Sequence, residues 1–246
     1  MTPLYIVTGI IVIICALIGL AIKRHASRQK YISSFMQNFA QSAGYQYSAQ
    51  GDVLTIGGKI LCPDDPNAIV MERKMYNVLT GSMGNIPCRV FNYQSTQTQK
   101  TRSRNETGQT AVDTYTVFEA TLPNRLPDIL VTPHIPGLDW LVGKLSASVG
   151  VGEQVRLEGD FYKHLTVYVP RTFEVDAYQM FTPDVMMKLE EMLQNKGVIK
   201  AFTFELIDNK LYLHIPTIIT DNKEMTELLA LTKSLFDTFS RNIKHM

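Results

Sequence analysis

Before Asp52 the chain has no aspartate and no glutamate. Acidic residues repel the negative face of a membrane, so their absence leaves the basic residues of this region uncompensated. Cysteine is also scarce, at three in 246 residues, which excludes a dense disulfide scaffold or a four-thiolate zinc site. The net charge is only +1, so there is no global attraction to nucleic acid. Motifs are lacking too. There is no G-x-x-x-x-G-K-[ST] phosphate loop, no H-E-x-x-H and no G-x-S-x-G nucleophile turn. Gly57-Gly58-Lys59 lacks the spacing to cradle a phosphate. The five histidines (His25, His134, His164, His214, His245) stand far apart, and none has a metal-ligand partner at i+3 or i+4. No cofactor and no metal is expected.

What is present is apolar. At 45% hydrophobic the chain is not a disordered tail, and its length suits one sizeable core or at most two small domains. Leu4 to Ile22 is an uncharged run. As a helix it would be roughly 28 Å long, against a hydrocarbon core of about 30 Å. A cleaved signal would want a basic segment before the run and a small-residue cleavage site after it. Here Lys23, Arg24 and His25 follow instead. Ile14 precedes Cys15, where a lipoprotein site needs a small residue. The expectation is a transmembrane anchor over residues 1–30, with the lipid bilayer as partner through residues 4–22. Lys23, Arg24, Arg28 and Lys30 then form the membrane interface. By the positive-inside rule the N-terminus lies outside a bacterial cytoplasmic membrane, and residues 31–246 form a soluble domain in the cytoplasm.

Tyr31, Ile32, Phe35, Met36, Phe39, Ala40 and Ala43 recur at helical spacing, and Gly44 stops them. The opposite face is Ser, Gln and Asn rather than basic, which favours packing on the domain. Ile69–Leu79 and Ile86–Tyr93 read as paired strands, and 94–113 as an exposed polar loop. Tyr115–Leu122, Asp128–Thr132 and Val155–Pro170 read as strands. Thr182-Pro183 opens a helix whose apolar face is Val185, Met186, Leu189, Met192 and Leu193. Phe202, Phe204 and Leu206 alternate, as do Leu211, Leu213 and Ile215, with a turn at Asp208-Asn209. Met225 to Phe239 forms a long amphipathic helix. The fold class expected is α+β: one N-terminal transmembrane helix, then one domain with a mainly antiparallel sheet and amphipathic helices.

Leu157-Glu158-Gly159-Asp160-Phe161, Leu165-Thr166-Val167-Tyr168, Glu174 to Ala177 and Phe181-Thr182-Pro183 form a series. It resembles an uncharacterised bacterial family of membrane-anchored proteins, known only as a domain of unknown function. That family has an L-E-x-x-x-F segment, an F-x-V-Y strand, an acidic Ala-containing segment and a Thr-Pro helix start. Leu165 stands where the family has Phe, and Gln179 where it has a basic residue. The resemblance implies a bacterial membrane protein with a soluble domain and implies no activity.

Few residues suggest chemistry. Glu158 and Asp160 would share a strand face, and with His164 and Asp176 are the first suspects for acid–base work. A solvated face is the plainer account. Cys62 and Cys88 each adjoin a proline and read as packed thiols, reduced in a cytoplasmic domain. Leu138, Trp140 and Leu141 form an apolar cluster that packs in the core or meets a protein partner. Lys100, Arg102 and Arg104 read as solvated. No nucleic acid is expected as partner. The function expected is a protein-interaction or sensing module, with no catalytic motif. The alternative is a membrane-tethered enzyme acting on lipid or cell-envelope precursors.

Overall fold

The computed structural model describes residues 2–57, 61, 68–99, 110–134, 153–157, 159, 161–194 and 202–243. Side chains along the first helix are described from Ile13 onward. That helix, α1 (Thr2–Ala43), leads into a seven-stranded sheet. The strands are β1 (Gln46–Gln50), β2 (Ala68–Met83), β3 (Ile86–Gln99), β4 (Thr110–Pro133), β5 (Glu153–Val155), β6 (Leu165–Val169) and β7 (Thr203–Ile215). Between β6 and β7 come α2 (Glu174–Met180) and α3 (Pro183–Gln194), and α4 (Asn222–Ile243) closes the chain. The order across the sheet is β1-β2-β3-β4-β6-β5, with β7 also on β4, and every pairing is antiparallel.

The transmembrane part of the expected fold is corrected. Among the described residues no helix is long and apolar enough to cross a membrane. The helix that carries the apolar run continues through Lys23, Arg24, Arg28 and Lys30 to Ala43, and its C-terminal part packs on the domain. The expected antiparallel sheet with flanking helices is present.

One face of the sheet carries the larger core. Ile32, Met36, Phe39 and Ala40 of α1 are buried, so the middle of the stripe packs on the domain as its polar opposite face suggests, while Tyr31 and Ala43 at its ends are exposed. On the same core Phe239 of α4 meets Phe181 edge-on at 5.8 Å and Phe204 at 5.4 Å between ring centroids. The second face has a smaller cluster, with Ile56, Leu61, Met75, Phe91, Tyr93 and Tyr212 among its members.

Irregularities shape the strands. β2 and β3 turn through Gly84-Asn85, with Gly84 at φ +65°. A bulge between Tyr76 and Leu79 puts Asn77 at φ +53°, a region Asn tolerates, and Tyr47 OH donates to its Oδ1 at 2.9 Å. β4 and β7 bend together. The register breaks between Thr121 and Leu126 opposite Asp208, which sits at φ +55°. Pro123 and Pro127 lie at this bend, where a missing amide donor is tolerated.

Four expectations differ. Tyr115–Leu122 and Asp128–Thr132 belong to one strand, β4, and the segments on either side of Asp208-Asn209 belong to one strand, β7, bent there rather than reversed. The polar segment 94–113 is a loop over a shorter span, because β3 runs to Gln99 and β4 begins at Thr110, with Thr98 and Thr110 hydroxyls 3.2 Å apart across the ladder. Threonine-rich polar sequence pairs well on a pleated surface; residues 100–109 lie outside the described ones. Val155–Pro170 is not one strand. β5 and β6 flank a helical turn, Phe161–Lys163, after Gly159 at φ +74°.

Candidate functional site

The stripe of α1 that packs on the sheet changes character going backward along the chain. Ile32, Met36, Phe39 and Ala40 are buried, but one and two turns earlier the same side presents Gln29, Arg28 and His25. These face the first half of β2. β1 pairs with β2 only over Tyr76–Thr80, so among the described residues the edge of β2 before Tyr76 carries no strand. A cleft of about 480 Å³ opens there, with His25, Gln29, Gln50, Arg73, Lys74 and Tyr76 on its wall. A smaller hollow of about 170 Å³ adjoins it, shares His25, Gln29, Tyr76 and Gln94, and adds Arg28 and Thr114.

The wall is cationic and amide-rich. Among the described residues no Asp or Glu lines either hollow. Lys74 is paired with Glu72 at 2.9 Å near solvent. Arg73 has no ion pair among the described residues, and its Nε is buried without a hydrogen-bond partner. A buried guanidinium N–H without an acceptor is costly. Burial pushes the Tyr76 phenol up, while the nearby Arg28 guanidinium pulls it back. Arg28 is thus close enough to act on that hydroxyl.

A second constellation lies within the sheet. His214 Nε2 is 3.1 Å from Glu205 Oε2, and both side chains are almost completely buried. His214 stacks on Tyr212 at 5.8 Å and meets Tyr115 edge-on at 6.4 Å, while its Nδ1 has no partner. Nearby, Arg89 Nε donates to Glu119 Oε1 at 3.1 Å, and Lys210 Nζ lies 3.4 Å from the same oxygen. Gly57 N–H donates to the Tyr212 hydroxyl at 3.0 Å. Burial, with the Glu119 carboxylate adding to it, pushes the Tyr212 phenol up. Neither His214 nor Glu205 lines the two hollows.

Of the residues singled out from sequence, Lys23, Arg24, Arg28 and Lys30 are all exposed on α1, and Arg28 reaches the smaller hollow. Leu138, Trp140 and Leu141 lie outside the described residues, as do Cys62, Glu158, Asp160 and the Asp176 side chain. Cys88 is buried and donates to the Tyr45 hydroxyl at 3.8 Å. His164 is exposed, and its carbonyl accepts from His134 N–H at 2.7 Å. Among the described residues no three His, Cys, Asp or Glu side chains gather to hold a metal ion. Leu157, Phe161, Val167, Tyr168 and Phe181, the apolar positions of the resemblance motif, are all buried. They pack the domain and line neither hollow. Arg73 and the Glu205–His214 pair were missed. Arg73 sits between Glu72 and Lys74 and looks like a solvated charge run. The signal for Glu205 and His214 was their polarity inside otherwise apolar strand segments.

No family model matches the chain, and no curated protein matches it. Among solved structures, the mycobacterial trehalose monomycolate transport factor A, TtfA, is similar in shape. Its TM-score is 0.50 at 12% identity, over 84% of this chain and 93% of that one. At that identity the likeness is one of fold.

Proposed function

We propose that the protein is a binding module that works against a lipid surface, on the cytoplasmic face of a bacterial membrane, in the handling of envelope material. The observation that carries this reading is α1 itself. From Ile13 to Ile22 it exposes Ile13, Ile14, Leu17, Ile18, Leu20 and Ile22, with Ile22 at 64% and Ile18 at 54%. Lys23, Arg24, Arg28 and Lys30 follow at once, with no acidic residue to offset them. Exposed aliphatic area of this density is costly in water and suits lipid, while the cations suit the anionic headgroups of a cytoplasmic leaflet. Each basic residue near such a surface contributes about 1 kcal/mol. The fold shared with a protein named for trehalose monomycolate transport supports an envelope-related role.

A binding role is favoured over an enzymatic one because no described carboxylate stands with His25 and Tyr76 on the cleft wall, where the other polar groups are cations and amides. Flotation of the full chain with lipid vesicles tests the reading. Wild type should float, and the triple variant Ile14→Ser, Ile18→Ser, Ile22→Ser should lose most of its flotation. A triple variant that floats like wild type would overturn it.

A further inference from the structure

We infer that the cleft between α1 and the first half of β2, with the hollow beside it, is a seat for the phosphate of an anionic lipid headgroup, with Arg73 and Arg28 as its principal ligands. This rests on the lipid-surface reading above and names what that surface presents.

Three observations converge. First, Arg73 lines a cleft of about 480 Å³, is only partly buried and has no ion pair among the described residues; its Nε is enclosed without an acceptor, which leaves the terminal nitrogens to meet a ligand. Guanidinium groups prefer planar, bidentate partners such as phosphate, and one held without a partner is poised for that contact. Second, His25 and Lys74 line this cleft and Arg28 the hollow beside it; among the described residues no Asp or Glu lines either, and of the three only Lys74 has a carboxylate partner, Glu72 near solvent. Cations on a low-dielectric wall focus a positive potential into the cleft. Gln29, Gln50 and Gln94 add amide groups able to donate to phosphate or glycerol oxygens. Third, the same side of α1 leads from the cleft to aliphatic surface. His25, Ile22, Ile18 and Ile14 follow one another at helical spacing, and the three isoleucines are exposed. A headgroup in the cleft thus leaves its acyl chains beside an apolar track rather than in water. A free inorganic phosphate would use the cations and leave that track idle.

The test is calorimetric titration of the full chain with a soluble short-chain phosphatidylglycerol and, separately, with inorganic phosphate. Saturable binding of the lipid is expected, at least ten-fold tighter than inorganic phosphate. Arg73→Gln and Arg28→Gln should each weaken it at least ten-fold, Arg73→Lys should restore part of it, and Lys188→Gln on α3 should leave it unchanged. Arg28 is itself exposed on α1, so Arg28→Gln keeps the test valid even where Arg73→Gln disturbs the sheet edge. Phosphatidylglycerol binding that survives both substitutions would overturn the site. Equal binding of inorganic phosphate would overturn the lipid assignment. The two proposals fail separately. Loss of lipid titration in the arginine variants, with flotation on neutral vesicles retained, supports the cleft. Flotation that survives in the isoleucine variant strikes only the lipid-surface reading of α1.

Discussion

Glu205 and His214 stand nine residues apart on one strand, yet their side chains meet at 3.1 Å in the interior. A straight strand would separate them by about 30 Å. The shared bend of β4 and β7 at Asp208 brings them together. Removing one member of a buried pair leaves the other without a partner, at a cost of roughly 3 kcal/mol or more. Glu205→Ala should therefore lower the urea midpoint strongly. The double variant Glu205→Leu, His214→Leu should recover part of the loss, because it leaves no orphaned polar group. Urea unfolding followed by circular dichroism measures both.

Asn92 lies fully buried on β3, and neither amide atom has a partner. A buried polar group without hydrogen bonds costs about 1–3 kcal/mol. Asn92→Leu, which keeps the branched shape of the side chain, should raise stability by about 1 kcal/mol or more in the same urea assay. A fall would mean that the amide serves a partner in the working protein.

Gly81 faces the Tyr45 ring. A Cβ at Gly81 would stand 2.6 Å from Tyr45 Cδ1, while the Tyr45 hydroxyl is held by Cys88. The ring has little room to yield, so Gly81→Ala should cost about 1–3 kcal/mol through overpacking. Thermal unfolding reads this as a lower midpoint. Tyr45→Phe, which keeps the ring, should change stability less.

Alkaline pH should destabilise the fold. Burial pushes up the Cys88 thiol and the phenols of Tyr45, Tyr76, Tyr115 and Tyr212. The folded state thus holds protons that the unfolded chain releases at the ordinary values of 9.0 for the thiol and 10.0 for the phenols. The stability these groups contribute is complete below those values and is lost as pH rises above them toward the folded ones. Urea midpoints measured between pH 7 and 11 should stay level to about pH 9 and then decline.

Much of the architecture was legible where one periodicity dominates. The stripe from Ile32 to Ala40, the hairpin turn before Ile86 and the Thr182-Pro183 helix start all follow local rules, and Met186 N–H indeed donates to Thr182 O at 3.0 Å. The bends of β4 and β7 were less so. Pro123 and Pro127 look like the ends of strands, and only pairing on both sides carries one strand through them. The polar stretch after Gln94 looked like loop because its threonines and glutamines have no apolar alternation; backbone ladders hold it instead. The cleft was invisible for a different reason. His25 and Arg73 belong to separate elements, and each alone resembles a solvated charge. The long apolar run misled most, because its composition alone suggested a full span.

Cys15 is exposed midway along the aliphatic stretch of α1, and Cys88 is buried, so an environment-sensitive fluorophore can be placed on Cys15 in a Cys62→Ser background. Its emission on adding phosphatidylglycerol vesicles reports directly whether this helix meets lipid. A blue shift, with quenching by a lipid-borne quencher, is the predicted result. Unchanged emission, with the dye still open to a water-soluble quencher, would contradict the account.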